Sequence, residues 1–145
     1  MLDATGNVYG ATALGGANGL GTVFELTPNP SGGWTEQILH NFSALSGGRD
    51  PDSNLILDSS GDLYGETFEG GMEWCPNFGC GTAFKLSPIS GGGWKETILT
   101  SFSANKDGGF PTSPLVFDSE GNLYGTTAGG WGAAAYYGTV FEIKP

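Results

Sequence analysis

The chain has 145 residues, 27 of them glycine and 8 proline, and its 15 acidic side chains against 5 basic ones give a formal net charge of −10. That balance would repel a phosphate backbone, which is held by clustered Lys and Arg, and no apolar run approaches the roughly 18 residues of a membrane-spanning helix. Nucleic acid and membrane insertion are therefore excluded as expectations, and the stretch 1–10 lacks the basic-then-apolar order of a signal peptide.

Aromatic residues make up 12% and apolar residues 38%, too many for a disordered chain. Glycine at this density argues against helix, since each interior Gly costs about 1 kcal/mol relative to Ala. The composition predicts an all-β fold.

Read in chain order, the strands come as a repeat. Asn7-Val8-Tyr9-Gly10 returns as Asp62-Leu63-Tyr64-Gly65 and Asn122-Leu123-Tyr124-Gly125. Gly21-Thr22-Val23-Phe24-Glu25-Leu26 returns as Gly81-Thr82-Ala83-Phe84-Lys85-Leu86 and Gly138-Thr139-Val140-Phe141-Glu142-Ile143. Gly33-Trp34 to Leu39 matches Gly93-Trp94 to Leu99, and Leu55-Ile56-Leu57-Asp58 matches Leu115-Val116-Phe117-Asp118.

Each unit thus predicts four short strands, a to d. In the middle unit strand a covers 54–58, and a tight turn through Gly61 leads to strand b from Leu63. Strand c covers 82–87, with Thr82, Phe84 and Leu86 on one face and Ala83 and Lys85 on the other. Strand d covers 94–102, with Trp94, Ile98 and Phe102 on one face, and the links 88–93 and 103–113 read as loops.

Four-stranded antiparallel units repeating every 40 to 60 residues or so predict a β-propeller. One repeat domain spans 1–145, with blade 1 at about 1–48, blade 2 at about 49–108 and blade 3 at about 109–145. The first unit has only the tail of strand a, the last stops before strand d, and three such blades cannot close a ring. Either the chain is a stretch of a longer propeller or it self-assembles as a homo-oligomer, with the dimer as the first expectation.

The phrases from Asp118 to Thr127, from Gly138 to Ile143 and from Ile98 to Phe102 together resemble the bacterial GloVer tandem repeat. The resemblance covers essentially the whole chain. It implies large, secreted choice-of-anchor repeat proteins and hence an extracellular or cell-surface location, and it brings no catalytic residues to carry over. The Asp-x-x-Gly-Asn-Leu-Tyr phrase also looks like the hairpin of NHL-type propeller repeats.

Repeated residues, such as Tyr9, Tyr64 and Tyr124 or Trp34 and Trp94, read as packing that every blade needs. The residues that differ between units are the functional candidates. The b-to-c segments vary most, and in a propeller they share a rim with the d-to-a loops.

Their aromatics Trp74, Phe78, Trp131, Tyr136 and Tyr137, beside acidic Asp50, Asp52, Glu73 and Asp107, make a mixture suited to sugars. Rings stack on a pyranose face while carboxylates accept its hydroxyl protons. The leading expectation is a non-enzymatic extracellular module binding a glycan or small sugar.

The alternatives are a structural surface repeat, or a glycoside hydrolase drawing an acid–base pair from Glu66, Glu69, Glu73, Asp50 and Asp107. Cys75 and Cys80 predict a short-loop disulfide in an oxidising compartment. Zinc would need about four ligands, and His40, on a different strand and expected in solvent, does not join them. No metal site or cofactor is expected; calcium at Asp50-Pro51-Asp52-Ser53 or Asp107 is the exception weighed, and neither matches an EF-hand loop.

Overall fold

The computed structural model describes residues 1–43, 47–52, 54–71, 78–103, 108–129 and 137–145. Among them every regular element is a strand, and no helix is long and apolar enough to cross a membrane. Three antiparallel sheets follow one another along the chain.

Sheet 1 holds β1 (Val8–Thr12), β2 (Thr22–Pro28) and β3 (Trp34–Asn41). Sheet 2 orders β4 (Ile56–Leu57), β5 (Leu63–Thr67), β6 (Thr82–Pro88) and β7 (Trp94–Ser101). Sheet 3 pairs β8 (Gly109–Pro111), β9 (Val116–Phe117) and β11 (Thr139–Ile143) with β10 (Leu123–Gly129). None of the three sheets closes on itself.

The repeated phrases produce the same register each time: Gly10 opposes Phe24, Gly65 opposes Phe84 and Gly125 opposes Phe141. The Tyr-Gly step and the Phe of the Gly-Thr-x-Phe phrase are therefore one packing device. A β-carbon at Gly65 would lie 2.7 Å from Phe84 Cζ and 2.8 Å from Leu55 Cδ2, inside any tolerable contact. Gly65→Ala is expected to cost about 1–3 kcal/mol through overpacking, and a chemical denaturation curve would show it as a lowered midpoint with an unchanged slope.

The Asp-x-x-Gly-x-x-Tyr phrase closes its own hairpin. Asp58 Oδ1 accepts from the amides of Ser60 (2.8 Å) and Asp62 (2.9 Å), and its Oδ2 accepts from the Tyr64 hydroxyl at 3.1 Å. Asp118 repeats this with Glu120, Asn122 and Tyr124, while Gly61 and Gly121 supply the positive φ of the turn. Hydrogen bonds, first of all from the Asn122 side chain, hold the Asp118 carboxyl below its ordinary range.

The core lies between sheets. Phe84, Leu86, Leu63 and Leu55 of the middle unit pack against Tyr9, Val23, Leu39 and Phe42 of the first. On the opposite side Tyr64 meets Leu115 and Leu123, and Ala83, Cys80 and Phe102 meet Phe110, Phe141 and Ile143. The sheets thus stack face to face, with sheet 2 covered on both sides.

Three expectations need correction. Phe102 does not share a face with Trp94 and Ile98: Phe84 opposes Ile98 while Ala83 opposes Thr100, so Leu99 is a bulge residue that reverses the alternation beyond it. The link 103–113 is not all loop, because Gly109–Pro111 pairs with β10 as a broken continuation of strand a. Trp34 is 52% exposed, whereas Trp94 packs against the core, so the repeated Trp is buried only where another sheet covers its face.

Candidate functional site

The d-to-a segment after sheet 1 runs against the b-to-c segments, which places both on one rim as expected. The Asp50 amide donates to the Leu20 carbonyl (3.1 Å), and the Asp50 carbonyl accepts from the Phe68 amide (2.9 Å). Sixty positions on, the Phe110 amide donates to the Cys80 carbonyl at 2.8 Å.

Asp50 (φ 58°) and Phe110 (φ 60°) both take left-handed backbone just before a proline. This conformation is uncommon for Asp and strained for Phe, and the cross-unit hydrogen bonds hold it in place. No residue-type signal announces such a tether at Phe110.

On this rim a cleft of about 170 Å³ is lined by Leu14, Leu20, Arg49, Asp50 and Glu69 among others. Arg49 pairs with the Glu69 carboxylate, and its guanidinium lies 4.0 Å above the Phe78 ring centre. Burial raises the Asp50 carboxyl above its usual range, the charges of Glu69 and Asp52 add to that, and Arg49 opposes it. A partnered carboxylate and a second carboxyl thus meet within one small concavity, and the Arg49 that lines it also stacks on the Phe78 ring.

Of the residues expected to bind sugar, Asp50 and Phe78 are brought together, and Glu69 from the hydrolase alternative joins them. Asp52 lines a different cleft of about 250 Å³ beside Tyr9, Asn54 and Leu55. Tyr137 is 93% exposed. Glu73, Trp74, Asp107, Trp131 and Tyr136 lie outside the described residues, as do Ser53 and Cys75. No free cysteine occurs among the described residues, where Cys80 is fully buried against Gly109.

Glu66 does not line the rim cleft; it is 1% exposed on β5, and burial pushes its carboxyl up to about 8. Among the described residues no group of three or more His, Cys, Asp or Glu side chains is arranged to hold a metal ion.

His40 is also corrected. Sheet 2 covers the face of β3 that carries it, so its side chain is 17% exposed, stands 3.5 Å from Glu96 Oε1 and meets the Phe42 ring edge-on at 4.7 Å. Burial lowers the imidazole from its ordinary value and raises the Glu96 carboxyl to about 7.

Reading residue types alone missed Arg49 as the centre of the rim cluster, and it missed the threonine pairs beneath the rim. Thr67 and Thr82 hydroxyls lie 2.9 Å apart, as do those of Thr12 and Thr22, and Thr127 and Thr139 stand at 2.8 Å. The Thr of the Gly-Thr phrase and the Thr two residues after the Gly of Tyr-Gly in each unit were the available signal.

No curated protein matches the chain. The model of the Gloeobacter/Verrucomicrobia repeat covers residues 1–145 from end to end, and the chain belongs to that repeat family.

Proposed function

We propose that the chain is a non-enzymatic structural repeat module, built as a stack of blade-like units of the propeller kind at about 1–48, 49–108 and 109–145. The observation that carries this reading is the recurrence of one strand register in all three sheets, with equivalent faces meeting at both junctions. The repeated residues are consumed by turn closure, strand pairing and inter-sheet packing.

A second reading, sugar binding at the rim, is favoured by the cleft lined by Arg49, Asp50 and Glu69, with the Phe78 ring stacked against Arg49. A ring face beside carboxylates suits a polyhydroxylated ligand. A glycan array followed by product analysis separates the readings. The structural module is expected to retain no glycan and release no cleavage product. Retention that Phe78→Ala abolishes would establish the rim as a sugar site, and turnover of any glycan would overturn the non-enzymatic reading.

A further inference from the structure

Among the described residues, sheets 1 and 3 each leave one face uncovered, and those two faces are the two halves of a junction the chain already makes. Within the chain, the Tyr9, Val23 and Glu25 face of sheet 1 meets the Phe84, Leu86, Trp94, Glu96 and Ile98 face of sheet 2. Sheet 3 presents the first set again as Tyr124, Val140 and Glu142. Sheet 1 presents the second set again, on its outer side, as Phe24, Leu26, Trp34, Glu36 and Ile38.

The residue types agree position by position, but the burial does not. Val23 is 0% exposed and its counterpart Val140 is 78% exposed; Trp94 and Ile98 pack against the core, while Trp34 and Ile38 are 52% and 43% exposed. Uncovered β-branched and aromatic side chains at matching positions on both ends are the signature of an unmade contact.

We infer that a second copy of this chain covers these faces head to tail, the Tyr124 and Val140 face of sheet 3 docking on the Phe24 and Ile38 face of its neighbour's sheet 1. The inference rests on the stacking reading above. The acid on the donor face is no obstacle: Tyr124 donates to Glu142 at 2.9 Å, as Tyr9 does to Glu25 at 2.9 Å. Because the two surfaces differ, the contact is heterologous and propagates until a ring closes or a filament grows. Being a contact between separate copies, it depends on concentration.

Light scattering across a concentration series tests this. Wild-type chain is expected to gain mass with concentration, Val140→Ala to behave alike because Ala83 fills that position in sheet 2, and Val140→Asp and Ile38→Asp each to stay monomeric. Mixing the two Asp variants is expected to restore dimers and nothing larger, since one intact surface survives on each. Wild type that stays monomeric at its highest soluble concentration, or Val140→Asp with undiminished mass, overturns the inference and leaves the faces to further repeats. Both Asp sites are exposed in the single chain, so circular dichroism should show unchanged folding, whereas failure of the stacking reading itself would appear in substitutions at the internal junction.

Discussion

Replacing Phe84 by Ala is expected to lower the unfolding free energy by about 3–5 kcal/mol, the usual cost of truncating a fully buried Phe. Phe84 is 0% exposed, its ring meets Phe42 edge-on at 5.3 Å between sheets 1 and 2, and it fills the space that Gly65 leaves open. Aromatic geometry of this kind adds to simple area burial.

The contrast that gives the measurement its force is Phe24→Ala. Phe24 occupies the same place in the same repeated phrase, but no other sheet covers its face among the described residues and the residue is only half-buried. In dilute solution its loss should cost clearly less than that of Phe84. Equal costs in urea titrations of the two variants would show that the inter-sheet junction contributes little, and would undo the stacking reading. A large gap, closing at concentrations where copies associate, would tie stability to the proposed pairing.

Much of this architecture was legible because the repeat phrases encode local devices. The Asp, Gly and Tyr of the hairpin phrase bond to one another within seven residues, so their spacing alone specifies a turn. Strands b and c, with their alternating faces, follow from the period of two, and β5 and β6 begin at Leu63 and Thr82 as expected.

What residue patterns hid was the relation between sheets. The bulge at Leu99 leaves no compositional mark, yet it moves Phe102 to the other face. His40 looked like a lone surface imidazole because nothing local announces that Glu96, from the next unit, stands over it. The rim cluster was half legible: Phe78, Asp50 and Glu69 stood out as unit-specific residues, while Arg49 joined them only through its pairing across the d-to-a segment. The propeller reading itself goes beyond the three stacked, open sheets.

The pH dependence of stability is expected to run opposite to that of a protein held by surface carboxylates. Glu66 sits at 1% exposure on β5, at the place of Ala11 in the first unit and Thr126 in the third, and burial lifts its carboxyl from 4.5 to about 8. Between those values the folded chain keeps a proton that the unfolded chain has released. Stability is therefore greatest below 4.5 as far as this group is concerned, and it is lost as pH rises through about 8.

Glu96, raised to about 7 by burial, acts in the same direction. His40, lowered by burial, opposes both, but only as pH falls through its ordinary 6.5. From pH 6.5 to about 7 both glutamates act unopposed and from there to about 8 Glu66 acts alone, so the melting temperature should fall across that window by an amount corresponding to about 2 kcal/mol, at about 1.4 kcal/mol per unit for a fully shifted group. Glu66→Gln, which keeps the shape and removes the ionisation, should flatten most of the slope and stabilise the chain at pH 8. A melting temperature that is level or rises from pH 6.5 to 8 in the wild type, or a slope that survives in Glu66→Gln, would contradict a Glu66 carboxyl that folds in its neutral form.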